Sequence, residues 1–111
     1  MRAEVRVSRG VLDAIGRTPV VELRRIVPAG SARILAKLES ANPTGSMKDR
    51  MAKAVIEAAE ADGRLPPGGT VVEYTAGTTG VSLALVCAAT GHQAVVEAAR
   101  QVPLGDRKSV V

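Results

Sequence analysis

Short apolar runs separated by turn residues predict β-strands at four places in the chain. Residues 20–23 and 34–39 are the first two runs, and a turn containing Pro and Gly lies between them at residues 28–31. Residues 70–74 are rich in β-branched side chains, which favour a third strand, and residues 93–97 form a fourth run. Four strands are therefore expected.

Two longer segments have the spacing of helices. In residues 46–62 apolar side chains recur at every fourth position, which indicates one face of an α-helix, and Gly63 marks the end of that helix. Residues 81–90 are almost entirely apolar and predict a buried helix that Gly91 closes. The stripe predicted for the first helix consists of Met51, Val55 and Ala59, with Ala52 and Ile56 beside it.

The order of these elements predicts the fold class. From residue 34 onward a strand, a helix, a strand, a helix and a strand follow one another, which is typical of a parallel sheet with right-handed crossovers. The chain has 111 residues, of which 46% are hydrophobic, and this suffices for one folded domain. We therefore expect an α/β fold with a parallel sheet and flanking helices.

Charge and composition argue against several kinds of partner. The net charge is +4, but the basic residues are scattered and Tyr74 is the only aromatic residue, so the stacking side chains of single-strand nucleic-acid binders are missing. No apolar stretch reaches the roughly eighteen residues of a membrane span. Cys87 is the single cysteine and His92 has no ligand-spaced neighbours, so neither a disulfide nor a metal site is expected. We expect a cytoplasmic protein that binds neither nucleic acid nor membrane.

Lys48 lies in the first turn of the helix predicted at residues 46–62, where Ser46 and Asp49 are suited to cap the helix. The partial positive charge of a helix N-terminus disfavours the ammonium form of a lysine there. The free amine is the form that condenses with an aldehyde. The local pattern leaves two interpretations open, a lysine that binds an aldehyde and an ordinary surface lysine at a helix end.

A second segment, residues 75–80, joins a predicted strand to a predicted helix. Free backbone N–H groups and the hydroxyls of Thr75, Thr78 and Thr79 would suit an anion, and the glycines of the segment would let a ligand approach the backbone closely. The segment lacks both the Walker and the dinucleotide-binding patterns. A carboxylate is therefore as plausible a ligand as a phosphate, and an ordinary strand-to-helix turn is the alternative.

Five segments form an ordered pattern along the chain. They are residues 15–20 (IGRTPV), 37–39 (KLE), 42–50 (NPTGSMKDR), 63–65 (GRL) and 73–80 (EYTAGTTG). Together they resemble the cysteine synthase and cystathionine β-synthase group of pyridoxal-phosphate enzymes, within the tryptophan-synthase-β-like superfamily. The resemblance implies an α/β fold of that superfamily, present in part, and pyridoxal 5′-phosphate as the cofactor.

The resemblance also implies roles for particular residues. Lys48 matches the lysine that binds the cofactor as a Schiff base and then moves the substrate α-proton. Thr78 occupies the position of a family Asn that hydrogen-bonds the cofactor, and its hydroxyl is both donor and acceptor. The implied reaction is β-replacement or β-elimination on an O-activated serine. The loop expected to bind the carboxylate of this amino-acid substrate consists of Thr75, Ala76, Gly77, Thr78 and Thr79.

Members of the group are much longer than this chain, so the resemblance implies a segment of a longer protein that forms a homodimer. Residues 1–34 are expected to pack on a larger domain, and residues 35–100 to form part of a small α/β domain. Residues 101–111 are expected to be an irregular tail, and residues 106–111 match the translation of a common DNA-sequencing adapter. We expect the 111-residue chain to bind the cofactor weakly and to lack turnover.

Two functions from other classes stay open at this point. One is a noncatalytic α/β module that binds a small anion at residues 75–80. The other is a noncatalytic paralogue that acts as a regulatory partner. Neither the activated serine nor the nucleophile is indicated by the pattern.

Overall fold

The computed structural model describes residues 4–75 and 77–98, so the predictions for Ala76 and for the tail at residues 101–111 lie outside the described residues. The strands are β1 (Val20–Leu23), β2 (Ile34–Lys37), β3 (Thr70–Thr75) and β4 (Gln93–Ala98), and the α-helices are α1 (Lys48–Ala61) and α2 (Thr78–Thr90). Short 3-10 helices occupy Val11–Ala14 and Glu39–Ala41. All six predicted elements are present, and α2 begins three residues earlier than the apolar run at residues 81–90 indicated.

The strands form two separate two-stranded sheets. β3 and β4 are parallel, with Val72 opposite Val95, and α2 makes the crossover between them, which confirms the α/β class. β1 and β2 instead pair antiparallel, with Val20 opposite Lys37. The prediction that the strand at residue 34 joins the same parallel sheet was wrong, because in the described part β2 takes its partner from the strand just before it.

The hydrophobic core lies where α2 packs on α1 and on the β3–β4 sheet. Its buried side chains are Ala52, Ile56, Leu65, Leu83, Val86 and Cys87. Burial raises the pKa of the Cys87 thiol, as befits a packing residue and not a nucleophile. The opposite face of this sheet carries Val72 and Tyr74, which are 70% and 60% exposed. In the described residues, no helix is long and apolar enough to cross a membrane.

The side of α1 that faces the core matches the predicted face in part. Ala52 and Ile56 are buried and Ala59 packs against the core, whereas Met51 and Val55 are 37% and 52% exposed. Asp49 lies on the same row as Ala52 and Ile56 and hydrogen-bonds inward, to Ser82 on α2. The apolar spacing alone could not distinguish the two adjacent rows, and the inward hydrogen bond of Asp49 lies on the row that faces α2.

Candidate active site

Lys48 is the first residue of α1 and is half-buried. Its backbone N–H donates to Ser46 Oγ at 3.1 Å, while Met47 is the residue at the N-cap position. Ser46, the predicted cap, therefore supports the helix start from one residue before the observed N-cap position. The side chain of Lys48 borders an open cavity of about 400 Å³. The other residues that line this cavity are Lys37, Glu39, Met47, Arg50 and Met51.

The three lysines in the described part of the chain differ in what their ammonium groups contact. Lys37 Nζ donates to the carbonyl oxygen of Thr18 at 3.1 Å. Lys53 Nζ lies 2.9 Å from Glu57 Oε1, one turn further along α1. Within residues 4–75 and 77–98, Lys48 Nζ has no acceptor at hydrogen-bonding distance. The Lys48 amine is therefore the one among these three that is available to a ligand.

The helix that carries Lys48 is fixed by a charged network around Glu39. Arg50 donates through Nε to Glu39 Oε2 at 2.8 Å and through Nη2 to Glu39 Oε1 at 2.9 Å, which is a bidentate pair. Thr18 and Asn42 also donate to the Glu39 carboxylate, and the Gly16 N–H donates to Asn42 Oδ1 at 2.8 Å. Three segments that carry the family resemblance therefore meet beside Lys48, although the sequence indicated no contact among them.

This network gives the fold a specific dependence on pH. The hydrogen bonds from Arg50, and then from Thr18, lower the pKa of Glu39 from 4.5 to about 2. Ionised Glu39 therefore stabilises the fold above about pH 4.5, and this contribution is lost as the pH falls toward about 2. We expect the unfolding free energy to fall more across this range in the wild type than in Glu39→Gln, measured by denaturant titration with circular dichroism. Parallel pH curves for the two proteins would contradict this assignment.

Asp49, the residue after Lys48, is completely buried. Its Oδ1 accepts hydrogen bonds from Ser82 Oγ at 2.6 Å and from Thr44 Oγ1, and its Oδ2 accepts one from the Thr44 N–H at 2.8 Å. Burial by itself raises the pKa of Asp49, but these hydrogen bonds outweigh it and lower the pKa below its usual value. Asp49 is therefore held as a carboxylate between the loop before α1 and the second helix.

The segment at residues 75–80 crosses from the end of β3 into α2. Gly77 is the N-cap residue of α2, and among the described residues no side chain caps the helix. The Gly80 N–H donates to the Gly77 carbonyl oxygen at 3.2 Å, which leaves the N–H groups of Thr78 and Thr79 for a ligand. Thr79 is half-buried in the first turn. Next to this helix start lies an open cavity of about 650 Å³. It is lined by Thr75, Gly77, Thr78, Gly80, Val81, Ala84 and Val96.

The two glycines of this segment have different roles. A Cβ built on Gly77 meets nothing within 4 Å, so open space is left beside the helix start. A Cβ on Gly80 would lie 2.6 Å from Val96 Cγ1 and 2.7 Å from Thr75 Cγ2. The expectation that both glycines admit a ligand is therefore wrong for Gly80, because the space beside Gly80 is filled by the sheet.

Lys48 and the 75–80 segment do not share a cavity in the described part of the chain. They are connected by the Asp49–Ser82 hydrogen bond, which joins the beginnings of α1 and α2. Sequence spacing did not reveal this bond, although Ser82 is a polar residue in an otherwise apolar helix and could have signalled it. Among the described residues, no group of three or more His, Cys, Asp or Glu side chains could hold a metal ion.

Lys48 fits the aldehyde of the cofactor that the resemblance implies, and the 75–80 segment fits an anionic ligand. An aldehyde needs an amine that no carboxylate or carbonyl occupies, and Lys48 provides one. A carboxylate needs free N–H groups and hydroxyls, and the uncapped start of α2 with Thr75 and Thr78 provides those. The open space at Gly77 leaves room for a ligand to reach them.

Comparison with known proteins places the chain in a family. It is 53% identical over 85 residues to a cysteine synthase of Staphylococcus aureus, an alignment that covers 77% of this chain and 27% of that protein. A solved structure of O-ureido-L-serine synthase has a TM-score of 0.80 at 44% identity and covers 93% of this chain and 32% of its own. Cystathionine β-synthase from Bacillus anthracis has a TM-score of 0.69 at 38% identity, with 94% and 39% covered.

The chain thus spans about a quarter to two fifths of the length of these proteins. The expected resemblance to the cysteine synthase and cystathionine β-synthase group is confirmed, and so is the cofactor of the family. Residues 11–110 match the family described as pyridoxal-phosphate dependent enzyme, which is most of the chain. This chain therefore belongs to the pyridoxal-phosphate-dependent enzyme family.

Proposed function

We propose that this chain is the segment of a pyridoxal-phosphate enzyme that carries the cofactor lysine, Lys48, and that the enzyme replaces or eliminates the β-substituent of an O-activated serine. One observation supports this most directly. Of the lysines in the described residues, Lys48 lines a cavity and its amine has no hydrogen-bond acceptor there, while the amines of Lys37 and Lys53 each have one. The relatives named cysteine synthase and O-ureido-L-serine synthase support the substrate class.

Lys48 acts in this proposal through its amine. The cofactor, when bound, supplies an electron-withdrawing ring that stabilises negative charge at the substrate α-carbon. Lys48 Nζ takes the α-proton, after which the oxygen leaving group departs from the β-carbon. In β-replacement a thiol then adds at that carbon and Lys48 returns the proton. This step needs an amine that no other group of the protein holds, and in the described residues Lys48 Nζ has no acceptor.

The 75–80 segment binds the substrate carboxylate in this proposal. Thr75 and Thr78 contribute hydroxyls, and the first N–H groups of α2 contribute donors and the positive end of the helix dipole. Thr79 contributes its backbone N–H, since its half-buried side chain does not line the cavity. Thr78 is also proposed to bind the cofactor through its hydroxyl.

The oligomeric state, the domain contacts and the location of the protein are also proposals. The family resemblance is the basis for proposing a homodimer. Because the chain covers 27% of the Staphylococcus aureus relative, residues 1–34 are proposed to contact a larger domain outside this segment. A cytoplasmic location is proposed from the single cysteine, which can form no intrachain disulfide.

Reductive labelling of the 111-residue chain tests the proposal. The chain is incubated with pyridoxal phosphate and borohydride, and peptide mass spectrometry measures how the label divides among the lysines. We expect Lys48 to be labelled about tenfold more than Lys37 or Lys53, because its amine has no competing partner. The distribution of label among the lysines is informative even when the chain binds the cofactor weakly.

Equal labelling of the three lysines would overturn the role of Lys48. If inorganic phosphate or a carboxylate still bound at the 75–80 segment, the noncatalytic anion-binding module would then be the better description. The two functions are therefore separated by one measurement of labelling and one of anion binding.

A further inference from the structure

Asp49 is an unusual residue to find buried where α1 packs on the apolar helix α2. It has no exposed surface, and it follows Lys48 directly on α1. A carboxylate buried in this way is expensive, because it gives up its hydration for a small number of hydrogen bonds. Apolar residues of similar volume at such a site are often neutral or stabilising. The presence of Asp49 therefore calls for a role beyond holding the helices together.

The contacts of Asp49 suggest what that role is. Thr44 reaches it from the loop before α1, through both its N–H and its hydroxyl. Ser82 reaches it from α2 at 2.6 Å, and Ser82 is itself completely buried. Among the described residues, this is the side-chain hydrogen bond that joins α1 to α2 directly. The carboxylate thus fixes the beginning of α1 in two directions at the residue next to Lys48.

The position of Ser82 makes this contact relevant to the 75–80 segment. Ser82 lies little more than one turn into α2, which starts at Thr78. The first turn of α2 packs closely on the sheet at Gly80, which fits against Val96 and Thr75 without space for a side chain. The hydrogen bond from Ser82 to Asp49 therefore connects the backbone next to Lys48 to the helix whose start forms the proposed carboxylate site.

We infer that Ser82 and Asp49 are positioning residues, and that their buried hydrogen bond orients the Lys48 amine relative to the 75–80 segment. The inference rests on the proposed function. It adds the contact that aligns the Lys48 amine with the proposed carboxylate site. A residue that acts in this way changes where Lys48 points without touching the ligand. Small displacements of a reacting group lower reactivity strongly, even when the fold is retained.

The test is the Ser82→Ala variant of the 111-residue chain, in the same labelling experiment. The matched control is Cys87→Ala, which also removes one heavy atom from a completely buried side chain on α2 but lies further from Asp49. We expect the ratio of label at Lys48 to label at Lys53 to fall about fivefold to tenfold in Ser82→Ala. The ratio should stay within about twofold of wild type in Cys87→Ala and in Ser82→Thr, which keeps the hydroxyl.

A double-mutant cycle separates positioning from general loosening. Asp49→Asn keeps the size of the side chain but gives up one charged acceptor, so it should lower the ratio as Ser82→Ala does. If the two residues act through one bond, the double variant should show little more loss than either single variant. The inference would be overturned if the losses of the two single variants multiplied in the double variant. It would also be overturned if Ser82→Ala left the ratio of label at Lys48 to label at Lys53 unchanged.

The outcomes also distinguish this inference from the proposed function. A wild-type chain that labels Lys48 no more than Lys53 removes the proposed role of Lys48, and the positioning role falls with it. A wild-type preference for Lys48 that survives unchanged in Ser82→Ala leaves the proposed function standing and removes only the positioning role. Should Ser82→Ala fail to fold, Asp49→Asn and Ser82→Thr carry the comparison.

Discussion

A Lys48→Ala variant should lose at least about a thousandfold in the rate of β-replacement on an O-activated serine, assayed in a protein of the relatives' length that carries this segment. The expected loss is large because the proposed mechanism uses the Lys48 amine both to hold the cofactor and to move the α-proton. The assay follows formation of the thiol adduct, with sulfide as the nucleophile.

Lys53→Ala is the matched control for this variant. Lys53 lies on the same helix, but its ammonium group pairs with Glu57 at 2.9 Å on the surface. A surface pair of this kind contributes little, so the rate should stay within about twofold of wild type. A Lys48→Ala protein that kept more than about a tenth of the wild-type rate would show that another group moves the proton.

The second large effect concerns stability. Gly80→Ala should lower the unfolding free energy by about 1–3 kcal/mol, because its Cβ would collide with Val96 on β4 and Thr75 on β3. Both neighbours are β-branched and cannot rotate away freely. The sign of this change in unfolding free energy is informative, because replacing Gly by Ala in a helix otherwise stabilises it by up to about 1 kcal/mol.

Gly10→Ala serves as the control for the glycine substitution. Gly10 has an extended backbone, with φ −172° and ψ 176°, and a Cβ there meets nothing within 4 Å. Its effect should be within about 0.5 kcal/mol of zero, measured by denaturant unfolding with circular dichroism. A Gly80→Ala chain as stable as Gly10→Ala would mean that α2 can move away from the sheet without loss.

The elements of the fold were largely predictable from the chain, because each depends on local spacing. The strand at residues 20–23 and the closure of α2 at Gly91, which adopts φ +79°, agree with the pattern of apolar and turn residues. The pairing of β1 with β2 was not predictable in this way. It depends on which strand edge is free, and an apolar run does not indicate its partner.

The same limit applies to the candidate site, where contacts between residues far apart in the sequence could not be predicted. Lys48 and the 75–80 segment were proposed from the family resemblance, since position at a helix start alone left other interpretations of both open. The partners of Asp49 and Glu39 could not be predicted, since Ser82 lies 33 residues from Asp49, and Arg50 lies 11 residues from Glu39. A hydrogen bond between distant residues depends on how helices pack, and Ser82 within an apolar helix was the one local sign of it.

The network around Glu39 has a consequence for protein engineering. Arg50, Thr18 and Asn42 all depend on one carboxylate, and Gly16 is held through Asn42. A designer who transplanted only the loop bearing Lys48 into another scaffold would leave a guanidinium and an amide facing groups that are not there. The smallest portable unit therefore includes the turn at residues 16–18 and Glu39, although these positions are far apart in the gene.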